Sequence, residues 1–229
     1  NFSMESIEQT FNGSVGASAR LTATVSRNGD LVHKMYLAAE PGSVYLGNYG
    51  HFGLIKDVEL EIGGQRIDKQ SAQWMETWAQ LTEVNPTGTT TNQSTDMLTG
   101  SYTRFQQMTC AGGVKKSSSN PGLIHVPLQF WFCRNAGLAL PLIALQYHEV
   151  KVILTCGDLS GGANLQLWAD YIYLDTDERR RFAQVSHEYL IEQVQEESVS
   201  GSANEKTLNF NHPVKELIVS GTGTNELSA

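Results

Sequence analysis

The chain has 229 residues, 40% hydrophobic and 17% charged, with 16 Lys+Arg against 24 Asp+Glu for a net charge of −8. That length and apolar content suffice for one large domain or two small ones, and 21 glycines with only 6 prolines fit neither a disordered nor a collagenous chain. The acidic balance argues against a groove that grips nucleic-acid phosphates through clustered cations.

Read from the N-terminus, the first strong strand signal is Leu21, Ala23 and Val25 alternating with Arg20, Thr22 and Thr24. Asn28-Gly29 then predicts a tight hairpin turn into a second strand, Leu31 to Ala38. Val58, Leu60 and Ile62 alternate with Glu59 and Glu61, which predicts one buried and one wet face, and Gly63-Gly64 turns the chain into Gln65 to Asp68. From Lys69 to Thr82 the period changes to that of a helix. Trp74, Met75, Trp78, Ala79 and Leu81 take the inner half of the wheel, and Gln73, Glu76 and Gln80 the outer. Asn85 to Thr103 and Ala111 to Gly122 are dominated by small polar residues and glycine, and read as long exposed loops.

Beyond them, Ile124, Val126, Leu128, Phe130 and Phe132 predict one face of a strand, with Pro127 marking an edge or a bulge. Val150, Val152 and Leu154 continue the pattern, and Leu165 to Leu174 is apolar enough to be a strand covered on both faces. Asp175, with Glu178 three residues on, caps a second helix on which Phe182, Val185 and Tyr189 fall at helical spacing. The longest apolar run, Ala136 to Leu145, holds Pro141 and is half of the roughly 20 residues a spanning helix needs. Nothing at the start reads as a signal peptide, so the expectation is a soluble protein without a membrane-spanning segment. Many short strands with a few inserted short helices predict an all-β sandwich or barrel, and the long interruptions fit a jelly-roll β-sandwich better than an up-and-down barrel.

Catalytic frames are missing from the sequence. There is no Gly-x-Ser-x-Gly, and neither His148-Glu149 nor His187-Glu188 has a second histidine one turn on. His33, His51, His125 and His212 are scattered singly and read as hydrogen-bonded structural residues, so neither a catalytic set, a metal site nor a cofactor is assigned. Cys110, Cys133 and Cys156 cannot all pair and sit in no CxxC, which predicts buried free thiols in a reducing compartment. Asn1, Asn12 and Asn92 fit the glycosylation sequon, a match short enough to arise by chance. Arg179-Arg180-Arg181 reads as a solvated helix face, with an acidic neighbour as the alternative because cations in a first turn oppose the helix dipole.

Several blocks resemble one family over nearly the whole chain. They are Asn1 to Ile7 (NFSMESI), Ser26 to Tyr36 (SRNGDLVHKMY), Ile55 to Asp68 (IKDVELEIGGQRID), Leu128 to His148 (LQFWFCRNAGLALPLIALQYH), Asp170 to Gln193 (DYIYLDTDERRRFAQVSHEYLIEQ) and Leu208 to Ile218 (LNFNHPVKELI). Together they are similar to the major capsid proteins of the nucleocytoplasmic large DNA viruses, the group of the iridoviruses, chloroviruses and giant amoebal viruses. Ala136 stands where that family usually has proline, Val219 where tryptophan is common, and Gly221 to Ala229 has no counterpart.

The resemblance implies a double jelly roll that assembles as homotrimeric, pseudo-hexagonal capsomers of an icosahedral capsid. By that reading, residues 1–190 form the first roll without its opening strand, and 191–229 form a linker and the start of a second roll. Implied partners are neighbouring capsomers and minor capsid proteins, with no direct nucleic acid contact. The implied location is the virion shell, and host cytoplasm during assembly. The alternative is a carbohydrate-binding jelly-roll module stacking sugars on Trp74, Trp78 or Trp168, followed by an enzyme of cupin or glycosidase type.

Overall fold

A computed structural model describes residues 2–40, 50–84, 103–112, 123–159, 164–198 and 205–220. The chain divides into two compact units, Asn1–Gln193 and Val194–Ala229. The first begins with β1 (Phe2–Gln9), β2 (Phe11–Asn12), β3 (Arg20–Thr24) and β4 (Leu31–Glu40), followed by the short α1 (His51–Leu54). Next come β5 (Ile55–Ile62), β6 (Gln65–Ser71), α2 (Ala72–Thr82) and α3 (Arg104–Thr109). Then follow β7 (Ile124–Pro127), α4 (Trp131–Arg134), β8 (Leu140–Pro141), β9 (Val150–Cys156), β10 (Asn164–Leu174) and α5 (Thr176–Gln184). In the second unit the described residues form no helix or strand. Its local order includes backbone N–H groups of Asn209 and Asn211 donating to the side chains of Glu197 and Gln195, both at 3.0 Å.

The strands form two antiparallel sheets. One has the order β1-β10-β4-β7, with β8 also on β4, and the other β2-β3-β9-β5-β6. Apart from β2-β3 and β5-β6, neighbours in space are far apart in sequence, which is the interleaving of a jelly roll. Alternation places Leu21 and Ala23, Val58 and Leu60, Val152 and Leu154, and Leu167, Ala169 and Tyr171 between the sheets, each at 0% exposure. Among the described residues every inner strand has a neighbour on both sides. A further strand would therefore have to join at a sheet edge.

The Gly63-Gly64 turn is as expected, with φ of +60° and +82° and Ile62 paired to Gln65. Asn28-Gly29, by contrast, closes no hairpin. β3 and β4 lie in different sheets, so this turn carries the chain across the sandwich. Gly29 is there for space, because a Cβ would come within 2.8 Å of the Tyr171 Cβ. The first long helix starts at Ala72, three residues later than predicted, since Lys69, Gln70 and Ser71 still pair with β5. Ser71 is its cap, its hydroxyl accepting the Trp74 N–H at 3.1 Å.

The strand predicted over residues 124–132 ends at Pro127, on the sheet's edge. Trp131 and Cys133 are buried as well as Phe130 and Phe132, a pattern that alternation cannot provide and the turn of α4 does. The β10 strand is buried along its inner face, while on the other only Ile172 is buried and Gln166, Trp168 and Asp170 are half-exposed. Asp175 does cap α5, accepting the Glu178 N–H at 3.1 Å, but the helix stops before Val185, and Tyr189 lies beyond it. The α3 helix was not predicted, although Thr103 and Gln106 form a full capping box at its start. The greater part of both polar loops, residues 85–102 and 113–122, lies outside the described residues.

Candidate functional site

Two histidines lie against backbone carbonyls. The ring of His33 is 2.8 Å from the Phe132 carbonyl, and that of His187 is 2.7 Å from the Phe182 carbonyl. Cys110, Cys133 and Cys156 are free and buried. Among the described residues no group of three or more His, Cys, Asp or Glu is placed to hold a metal ion, and no helix is long and apolar enough to cross a membrane.

Burial pushes the Cys110 and Cys133 thiols up to about 12 and raises Cys156 as well. A thiol reagent at pH 8 is therefore expected to label the folded chain slowly and the denatured chain fully. Rapid native labelling would contradict that burial. The raised values also make the folded chain hold these protons more tightly than the unfolded one. Their stabilising contribution is present below the unfolded thiol value of about 8.5 and is lost as pH rises towards 12.

One buried polar pair escaped the sequence reading. His51 Nδ1 lies 2.8 Å from Glu76 Oε2, which also accepts the Gly112 N–H at 3.0 Å. The helical wheel had placed Glu76 outside and Leu81 inside, and the structure reverses both, with Leu81 59% exposed. This pair ties α1 and α2 to the backbone just past α3. It is an anchor for segments between loops and not an open cleft.

Of the three consecutive arginines, Arg179 has found an acidic neighbour in its own chain. Its Nε is 2.9 Å from Asp30 Oδ1 and a terminal nitrogen is 3.1 Å from Oδ2. Arg180 and Arg181 stay on the solvated face, as the simpler reading had it. Trp74 and Trp78 are half-buried and stack at 5.5 Å, with the Arg134 guanidinium 5.0 Å over Trp78, so that ring is already occupied. Of the sequons, Asn12 is exposed on β2, while Asn1 and Asn92 lie outside the described residues.

The two flanks of the sandwich differ. The outer face of the β3-β9-β5-β6 sheet is a charge ladder: Arg20 pairs with Glu59 at 3.3 Å, and Lys69 reaches Asp57 and Glu59, both at 3.5 Å. Such pairs suit water and contribute little each. The outer face of the other sheet carries ring side chains on three neighbouring strands, two of them in register and the third on the diagonal. Trp168 is paired with Tyr36, their rings 7° from parallel at 6.5 Å, and His125 follows at 5.9 Å. Its edge strand β1 runs in unbroken register with β10 from Phe2 to Gln9, without proline, lysine or bulge, and leaves Phe2 70% and Met4 50% exposed. A straight, exposed, partly apolar edge is what isolated proteins avoid and assemblies cover. The sequence reading gave β1 no strand; its Phe2, Met4 and Ile7 do not keep one parity.

The description major capsid protein N-terminus belongs to the family whose sequence pattern matches residues 1–175. The chain belongs to this family. It is 50% identical over 245 residues to the major capsid protein of Pyramimonas orientalis virus, covering 99% of this chain and 59% of that protein. Against the major capsid protein of Paramecium bursaria Chlorella virus 1 the identity is 40% over 246 residues, covering 95% and 52%. A quasi-atomic model of the PBCV-1 virus capsid superposes with a TM-score of 0.71 at 38% identity, covering 93% of this chain and 54% of that one. The chain thus spans between half and three-fifths of the length of these capsid relatives.

Proposed function

We propose that the chain is a structural part of the capsid of a large DNA virus and not an enzyme. In this reading residues 1–190 are the first jelly roll, and 191–229 are the linker and the start of a second. The full-length product assembles as a homotrimeric, pseudo-hexagonal capsomer that meets neighbouring capsomers and minor capsid proteins. It is located in the virion shell, with host cytoplasm as the place of assembly, and it needs no cofactor and no direct contact with nucleic acid. The observation that carries the reading is the superposition on the PBCV-1 capsid over 93% of this chain. The aromatic flank supports it, because a subunit that closes a ring buries such flanks against its neighbours.

Light scattering on the purified full-length product is expected to give the mass of three chains. A stable monomer at micromolar concentration would overturn the trimer.

A further inference from the structure

The free edge of the other sheet, along β6, is treated differently from β1. The pairing of β5 with β6 steps from Leu60–Asp68 to Glu61–Arg66, which leaves Ile67 as a bulge residue without a partner on β5. The Ile67 carbonyl is instead taken by the side-chain N–H of Gln193. Next to it, Glu192 meets Arg134 at 2.6 Å, and Arg134 lies over Trp78. Upstream, the His187 ring stacks on Phe182 at 4.9 Å as the chain comes off α5. Residues 185–193 form no helix or strand, yet they are fastened at both ends, and Gln193 is the last residue of the first compact unit.

We propose that residues 185–193 are a latched strap that closes the β6 edge to strand addition and fixes where the chain leaves the sandwich. Two fastenings act together. The Glu192 carboxylate holds a guanidinium that is already oriented by an aromatic face, and the Gln193 amide caps the carbonyl which the bulge exposes. The bulge twists the edge, Gln193 of the strap takes the carbonyl it exposes, and exposed Arg66 and Lys69 add charge that disfavours a neutral incoming strand. This inference is independent of the capsid reading, since it concerns only the sandwich's own edge.

The test is amide hydrogen exchange on the full chain carrying Glu192→Gln together with Gln193→Ala, with Glu188→Gln in the same strap as the control. Exchange in residues 66–71 and 185–193 is expected to rise about tenfold, while β9 keeps its protection and the control matches the parent. Sedimentation of the pair is expected to show new concentration-dependent association. Gln193→Ala alone repeats the test on residues 66–71 should the pair fail to fold. Unchanged exchange in residues 66–71, or an equal rise in β9, would overturn the proposal.

Discussion

Replacing Phe132 with alanine is expected to cost about 3–5 kcal/mol, a large share of the 5–15 kcal/mol that holds a domain together. The ring is fully buried, 5.8 Å from Phe130 and edge-on to Trp131 at 5.2 Å, so three aromatic side chains lose a shared surface. Collapse cannot refill the space easily. The α4 turn is pinned from behind by the His33 ring, 2.8 Å from the Phe132 carbonyl, and by the Cys133 N–H on the Phe130 carbonyl at 2.9 Å. Thermal unfolding should show a midpoint lowered by roughly 6–20 °C, at 2–4 °C per kcal/mol for a domain of this size. Phe132→Leu keeps most of the volume and is expected to lose about 1–2 kcal/mol. Equal losses for the two variants would mean that the space collapses freely, and that the aromatic packing is not what anchors α4.

Phe132 also marks how far the sequence could be read. Burial of Ile124, Val126, Leu128, Phe130 and Phe132 was legible from their spacing, but the change from strand to helical turn was not, because the apolar run Phe130 to Cys133 reads in sequence as either. Local signals held where local geometry decides: Gly63-Gly64 at a two-residue turn, Asp175 at a helix start, and Val58 with Leu60 on an inward face. Where choice of partner is long-range, the same signals misled. Asn28-Gly29 is turn chemistry in a hairpin and in a crossover alike, and only the pairing of β3 with β9 separates the two. Glu76 sits on the polar side of any wheel, and its burial depends on His51, which reaches it from another element. The sheet edges were the least legible of all. An edge is defined by the strand that is not there, and the strap on β6 rests on Glu192 and Arg134, 58 positions apart.

Asp30→Ala is expected to cost about 2–4 kcal/mol, well beyond the usual effect of a surface ion pair. Asp30 ends the crossover between the sheets, and its own N–H is fixed on the Ile172 carbonyl at 3.0 Å. Its carboxylate accepts the Leu174 N–H at 2.8 Å and both the Nε and a terminal nitrogen of Arg179. One side chain therefore joins the crossover, the end of β10 and the first turns of α5. The two halves of this arrangement differ in environment. The Asp30 side chain is 9% exposed and that of Arg179 53%, so water screens the ion pair while the Leu174 N–H is left without its acceptor.

Arg179→Ala should accordingly cost only about 1 kcal/mol, because Asp30 keeps the backbone donor and gains water. Asp30→Asn, which retains one carbonyl oxygen, should fall between. Beneath α5 a small cluster of Leu31, Ala139 and Ile172, with Leu174 and Phe182 against it, is too slight to hold the helix once the carboxylate is gone. Urea unfolding of the three variants decides the matter: a lower midpoint at constant slope measures the loss directly. If Arg179→Ala proves as damaging as Asp30→Ala, the charge pair and not the backbone cap is what fastens α5 to the sheet.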